Sequence, residues 1–533
     1  MTIEGSRKLV LIMMISVAAL IVACMAWTRM PVIPAPIPPV TIADFTGATA
    51  STTGIRGLVP APNAGDQAKF LSASGTWGDI PAAETCLAGL TVGPDPCDLF
   101  TTIQAAVDAA TFDTIIYVKP GTYAGFTLPA ALRILVIGSG QDNTIVNTPI
   151  TVGANSHGLQ RMQVAADIIG QDDASLDFED SIFSGQLTTG TQGTETFHLV
   201  NLRCRTGSSV LVNGPDTFYM TGCTGEADVV FQMLGHSGEP HAITDTELNS
   251  VAFSTLPSWG DNRIYLTGVR TRDTVTIGGT LGAINRPNII VQGGYFTGDF
   301  TVQNGYVIVS DSVLRGTLSF ASGGGNAGIL LMENCFLQRD FLINGQNDEI
   351  VQMNNCQIQG GRIGNTAQKV YVTFNSCFSS EIPLGVALSD LEKQSDRDVV
   401  FNGGSYFARL VNRAASGEMR LNHTTFTDMR CSNNSTTMLD SCTGGVISAD
   451  GAALRVTNTT FHPKAGAACI TLSSAASVVM SGNVFYTDGV TAAVQGDGFA
   501  PSETYNSTGN NAVIPSGPMY GAGLAPAPSF LLG

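Results

Sequence analysis

The chain has 533 residues, of which 44% are hydrophobic and only 13% charged, with 60 glycines, 24 prolines and 11 cysteines. Average domains carry about 25% charged residues, so this composition excludes a disordered chain, a coiled coil and a long helical bundle. A net charge of -17 excludes nucleic acid as a partner, because phosphates demand a basic surface. The abundance of Gly, Thr, Ser, Asn and Val suits strands and tight turns. The length is large for one compact core and ordinary for a solenoid.

The first segment, residues 1–30, contains the uncharged run Leu9 to Trp27 behind Arg7 and Lys8. Nineteen residues at ~1.5 Å each span ~28 Å, close to the hydrocarbon core of a bilayer. The basic flank predicts a cytoplasmic N-terminus with the rest of the chain across the membrane. Three readings of this run stay open: an uncleaved transmembrane anchor, a cleaved signal peptide, and a bacterial lipoprotein box at Ile21-Val22-Ala23-Cys24 with lipid on Cys24. All three put the bulk of the chain outside the cytoplasm. Residues 31–44 follow, with alternate prolines from Pro31 to Pro39, and such a sequence is a semi-rigid, extended stalk.

Residues 45–85 are dominated by small side chains, with Ile55, Leu58, Val59, Phe70, Leu71 and Trp77 only at intervals. This strip cannot bury enough surface alone to offset its ordering entropy. The words Gly47-Ala48-Thr49, Gly57-Leu58-Val59-Pro60-Ala61-Pro62, Ala64-Gly65-Asp66, Lys69-Phe70-Leu71 and Gly75-Thr76-Trp77 together resemble a short module of phage tail fibres and of structural proteins of large DNA viruses. That resemblance implies a virion surface or fibre protein and a homotrimer, and no chemistry.

Residues 86–497 form the body. Asp98 to Ala110 is predicted as a helix, with Ile103, Ala106, Val107 and Ala110 on one face and Asp98 or Thr101 as its cap. Thr114 to Val118 reads as a strand, Lys119 to Tyr123 as a turn, and Leu132 to Ile137 and Thr144 to Val146 as further strands around Gly138-Ser139-Gly140. This order of helix, strand, Pro-Gly-Thr-Tyr turn and glycine-punctuated strands resembles the entry into a pectin-lyase-like right-handed parallel β-helix. The resemblance implies an all-β solenoid whose open end is plugged by the helix.

An internal repeat points the same way. MENCF at 332–336, MNNCQ at 353–357 and FNSCF at 374–378 recur every 21 residues. Looser copies stand at 200–204, 219–223, 308–313, 401–407, 421–426, 456–461 and 480–485. Periods of this size indicate one solenoid coil each, giving ~17 coils and a rod ~80 Å long at ~4.8 Å per coil. Asn side chains at equivalent positions can stack as a hydrogen-bonded ladder. Residues 498–533, rich in Gly, Pro, Ser and Asn, read as an irregular tail.

Cys335, Cys356 and Cys377 share one slot of successive coils. Zinc pairs are spaced by two to four residues, so these thiols read as buried small side chains rather than metal ligands. Cys86 and Cys97 bracket a loop and are a candidate disulfide in an oxidising compartment. Sequons at Asn422, Asn433, Asn434, Asn458 and Asn506 are candidate glycosylation sites on a eukaryotic secretory route.

A glycoside hydrolase needs two carboxylates roughly 5–9.5 Å apart, and Asp172, Asp173, Glu179 and Asp180 form the densest acidic cluster of the body. Adjacent strand residues face opposite ways, so the candidate catalytic pairing joins Asp172 or Asp173 to Asp180 across a coil. The catalytic words of the resembled enzymes are missing: Tyr123 is followed by Ala124-Gly125, and Ser156-His157-Gly158 and Arg362-Ile363-Gly364 stand without their companions. Nothing calls for a cofactor or a metal. The reading is therefore a non-enzymatic, membrane-anchored virion spike, fibre or minor capsid protein. It would contact other virion proteins or host glycans through aromatics such as Tyr295, Phe296, Tyr306 and Tyr406. The alternatives are a polysaccharide lyase or hydrolase on the same scaffold, and a bacterial lipoprotein adhesin.

Overall fold

The computed structural model describes residues 90–497, apart from short gaps at 192–195, 215–216, 233–239, 256–262, 279–287, 304, 322–327, 346–347, 364–369, 380–390, 465, 474–475 and 487–492. It also describes the strands Lys69–Leu71, Trp77–Asp79, Tyr505–Thr508 and Asn511–Val513. Contacts divide the chain into Met1–Thr85 and Cys86–Gly533. In the first unit, Lys69–Leu71 pairs antiparallel with Trp77–Asp79, Phe70 opposite Gly78. The rest of the proposed fibre module, the stalk and the run 9–27 lie outside the described residues. Among those described, no helix is long and apolar enough to cross a membrane.

The second unit is a parallel β-solenoid of the right-handed type. Its chain alternates apolar and polar residues over strands of two to eight residues, too short for independent sheets, and wraps them into three stacks. The first sheet holds twenty described strands, from Leu90–Val92 and Thr114–Val118 to Val478 on Ser477–Ser481 and finally Tyr505–Thr508. The second runs from Gly121–Tyr123 to Asn511–Val513 and the third from Thr127–Leu128 to Val494–Asp497. Every described pairing between strands of the second unit is parallel and one coil apart, as in Leu331 beside Gln352 beside Thr373. Nineteen steps of ~4.8 Å make the rod about 90 Å long. The ladder runs beyond Asp497, so the first part of the expected tail supplies strands; its small and hydroxyl side chains fit a rung as well as a loop.

The helix is shorter than its pattern suggests. It spans Ile103–Ala109 and is capped by Thr102, whose side chain accepts from the Ala105 amide at 3.2 Å. Asp98 is diverted from capping: its carboxylate accepts from the Asp95 amide at 3.0 Å and pairs with Lys119 at 3.0 Å. Ile103, Ala106 and Val107 join the core at the end where Leu90–Val92 is the edge strand. Gly121–Tyr123, read as turn, is the first strand of the second sheet.

The interior is a set of columns. Phe231 stacks on Phe253 at 4.8 Å, Phe374 on Phe401 at 4.9 Å and Phe461 on Phe485 at 5.0 Å, the strand spacing itself. The corner between first and second sheets repeats with equal regularity. Asp180, Asn201, Asp245, Asp311, Asn334, Asn355, Ser376, His423, Ser441 and Asn458 sit there with φ between 49° and 54°, and Gly222, Gly268, Gly293, Gly403 and Gly482 take the same place in other coils. This left-handed turn favours Gly and Asn or Asp. The turn residue's amide donates to the next coil, as Asn334 does to the Asn354 carbonyl at 3.0 Å and Asn355 to Asn375 at 2.9 Å.

In most coils the residue after the turn points inward and is small with a hydroxyl or thiol hydrogen, whereas Leu202, Val269 and Asn483 take that place in others. Ser181, Thr246, Ser312, Cys335, Cys356, Cys377, Thr424, Cys442 and Thr459 each donate to the carbonyl two residues earlier. Several also accept an amide from the coil before, as Met162 N donates to Ser181 Oγ at 3.1 Å and Gly294 N to Ser312 Oγ at 3.0 Å. The cysteine column is thus a run of corner donors in which sulfur stands where other coils use a hydroxyl. Just outside, the amide ladder forms: Asn375 Nδ2 donates to Asn354 Oδ1 at 2.8 Å, Asn402 to Asn375 at 3.0 Å and Asn422 to Asn402 at 3.0 Å.

These contacts set two stability outcomes. Cys356→Ser, which keeps donor and acceptor, should change the unfolding free energy by less than about 0.5 kcal/mol, whereas Cys356→Ala should cost about 1–2 kcal/mol; urea midpoints at constant m-value measure both. His241 is buried, its Nδ1 has no hydrogen-bond partner among the described residues, and burial pushes its imidazole down to about 4. The unfolded chain binds that proton near pH 6.5 and the folded one only near 4, so stability should fall as pH drops through this window, by on the order of 3 kcal/mol. Thermal scans should show a shallower acid slope for His241→Leu than for the parent.

Candidate functional site

The structure separates the acidic cluster that the sequence suggested. Asp172 and Asp173 lie at the corner entering the strand Ala174–Glu179, and Asp180 is the left-handed corner residue leaving it. Six extended residues hold the two ends about 20 Å apart, too far for a hydrolytic pair. Both ends are tied to the neighbouring coil: Asp172 Oδ1 accepts from the Thr191 amide at 2.9 Å and Asp180 Oδ1 from Asn201 Nδ2 at 3.1 Å. Asp172 and Asp180 are corner fasteners, and Asp173 is a left-handed turn residue with φ 62°.

The same strand carries a pair that the reading by adjacent residues missed. Asp177 and Glu179 are two apart, so both face outward from α-carbons about 7 Å apart along the strand. The clue was the alternation in Ala-Ser-Leu-Asp-Phe-Glu, whose burial alternates in step. Asp177 meets His198 Nδ1 at 2.9 Å on the next coil, and the His198 ring lies 5.3 Å from that of Tyr219 on the coil beyond. Glu179 Oε2 accepts from Gln160 Nε2 at 2.9 Å.

A concavity of about 340 Å³ opens beside them, lined among others by Asp113, Arg133, Gln160, Asp177 and Glu179. It exists because Gly158 occupies the position between Leu135 and Asp177 in the outward column; a Cβ there would come within 2.5 Å of Leu135 Cδ1. Two carboxylates, an imidazole and a guanidinium beside a shallow depression can hold sugar hydroxyls or relay a proton. Among the described residues no three His, Cys, Asp or Glu side chains converge as metal ligands.

The candidate tyrosines fall on two faces. Tyr306 is on the first sheet, while Tyr295 and Tyr406 share one outward column of the second, five coils apart. That column reads Tyr295, Val313, Phe336, Gln357, Phe378, Tyr406. Phe378 and Tyr406 are 42% and 40% exposed, Arg315 lies over the Tyr295 ring at 5.1 Å, and Tyr406 Oη is 3.2 Å from Thr427 Oγ1. Phe296, in contrast, is fully buried.

Cys97 is exposed, and Cys86 lies outside the described residues. Among the sequons, Asn433 and Asn434 form an exposed turn, Asn422 and Asn458 spend their amide nitrogens on the coil-to-coil ladder, and the Asn506 side chain lies outside the described set. Sequence reading also did not single out the buried charges Glu349 and Lys393; Lys393 points into the core, where Nζ donates to the carbonyls of Ser395 at 2.8 Å and Ser416 at 3.2 Å. Burial pushes this ammonium down to about 8.

With this geometry in hand the chain was compared with known proteins, and no family model, curated protein or solved structure matches it. The fold and the surface chemistry are what the functional reading rests on.

Burial pushes the thiols of Cys223, Cys431 and Cys469 up to about 12 and those of Cys204 and Cys442 to about 11. Since the thiolate is the reactive form, these five cysteines should resist alkylation in the folded protein and react together on unfolding. Peptide mass spectrometry after a timed iodoacetamide pulse reads this directly.

Proposed function

We propose that the chain is a non-enzymatic rod displayed outside the cytoplasm, a virion spike, fibre or minor capsid component tethered through residues 9–27, which contacts host glycans or neighbouring particle proteins along its length. The observation that carries this reading is the outward column from Tyr295 to Tyr406, a line of rings and hydroxyl-rich neighbours running along the shaft instead of around a pocket. Aromatic faces stack on sugar rings without any charge, which suits a surface with so few ionised groups. The stacked coils supply the stiffness that such display requires.

A second reading has one specific observation in its favour. Asp177 and Glu179 share the outward side of one strand beside the Gly158 concavity, about 7 Å apart at the backbone, so a polysaccharide-cleaving activity on the first sheet is the rival. Against it, each carboxylate is already engaged, by His198 and by Gln160.

Incubating the full chain with cell-wall and capsular polysaccharides separates the two. The rod reading expects binding with no new reducing ends and no unsaturated products. It also expects Phe378→Ala and Tyr406→Ala each to weaken glycan binding by about 0.5–1.5 kcal/mol. Turnover that disappears in Glu179→Gln overturns it.

A further inference from the structure

The outer surface of the first sheet is apolar where a soluble rod should be polar. Its six successive strands from Arg263–Thr267 to Val370–Asn375 turn one column of Tyr265, Ile290, Ile308 and Leu331 to the outside. The neighbouring column presents Tyr306, Ile329, Ile350 and Tyr371, the last two 45% and 41% exposed. By the alternation of these strands, only Arg263 and Glu333 bring charge to the outward side of all six. A contiguous apolar patch of this kind marks an interaction surface.

Followed in both directions, the Tyr265 column runs from Ile115 to Asn506, and its outermost charged residues, Asp177 and Arg455, bound fourteen successive coils. The midpoint of that stretch falls between Ile308 and Leu331. Reversed about that point, the column complements itself: Ile308 meets Leu331, Ala242 meets Val400, the Tyr219 ring meets the Arg420 guanidinium, and Asp177 meets Arg455. No like charges meet anywhere along it. A twofold axis lying along the strands produces this reversal while keeping each column opposite itself, as an isologous contact requires.

We propose that the first sheet is a self-association surface on which two copies of this chain pack face to face with their rods antiparallel. The occupant is a second copy because the charge pattern is complementary to its own reverse. With a net charge of -17, two copies repel over most of their surface, so the contact is centred on the six strands whose outward side carries the single carboxylate Glu333, while Asp177, Glu179, Glu418 and Asp440 stand on the outward side nearer its ends. Thirteen steps of ~4.8 Å give a strip ~62 Å long, and three outward positions make it about 16 Å wide. Each copy then contributes about 1,000 Å², somewhat more than the ~800 Å² per partner of a standard stable interface. This inference does not rest on the glycan-binding reading, which uses the second sheet.

The test is analytical ultracentrifugation of the full chain in detergent over a concentration series, with circular dichroism as the fold check. The parent should sediment as a dimer, and Leu331→Glu, on an outward position, should shift it to monomer with an unchanged spectrum. Asp177→Arg and Arg455→Asp should each raise the dissociation constant by about tenfold or more, since each sets like charges opposite one another twice. The double reversal should restore it, which no independent effect of the two changes would do. A monomer at every concentration, a trimer, a dimer indifferent to Leu331→Glu, or a double variant no tighter than the singles would each overturn the proposal.

Discussion

The solenoid depends on how its first corner satisfies the backbone. Where a chain leaves one sheet to enter the next, its amides and carbonyls lose their ladder partners, and each one buried without a substitute costs about 1–3 kcal/mol. Here the left-handed residue turns its amide to the carbonyl of the next coil, as Asn355 does to Asn375. The small residue after it sends a hydroxyl or thiol hydrogen back to the strand just left, as Ser312 does to the Ser310 carbonyl at 2.7 Å. The arrangement works only if the adjacent coil makes the same corner at the same height. Regularity of the stack is a consequence of that requirement.

The second corner obeys no such rule, and its shape varies along the rod. In the coils of Tyr406–Asn412, Thr425–Ser432 and Thr443–Asp450 the strands of the second and third sheets run together without a break. Gly445 permits it, since a Cβ there would lie 2.2 Å from the Thr427 carbonyl oxygen. The polar groups of the interior gather at this level: Lys393, Asn412 and Cys431 are register neighbours, and Asn412 Nδ2 reaches Thr437 Oγ1 at 2.9 Å. Buried polar groups of this kind persist when each has a partner, and here the partners are backbone carbonyls and hydroxyls of the same and the next coil.

These physics explain which features the sequence disclosed. The words MENCF, MNNCQ and FNSCF are legible because a corner constrains dihedral angle, size and hydrogen bonding at three consecutive positions, so few residue types fit. The amide ladder was legible for the same reason. The helix cap was not, because Asp98, Thr101 and Thr102 are all competent caps and an ion pair with Lys119 decides between them. The outward carboxylates Asp177 and Glu179 were missed by weighing neighbouring acids in place of alternate ones. The apolar outer face was hidden for a different reason: strings such as Tyr-Val-Ile-Val-Ser at 306–310 and Ile-Leu-Leu-Met-Glu at 329–333 are apolar on both sides, and periodicity cannot say that half of them leave the core.

Doubly apolar strands carry the proposed self-association. A strand buried on one face needs only alternation, so isoleucine, leucine and tyrosine on the open side of the first sheet do nothing for the fold of a single copy and lower its solubility. Their cost is removed only when another surface covers them. The second sheet, with Tyr295, Phe378 and Tyr406 interrupted by Gln357 and bordered by threonines, is wetter and better suited to a ligand that must come and go. In the antiparallel pair proposed above, the first strands of the two solenoids would lie at opposite ends, the first sheets would be covered and the second sheet of each copy would stay accessible.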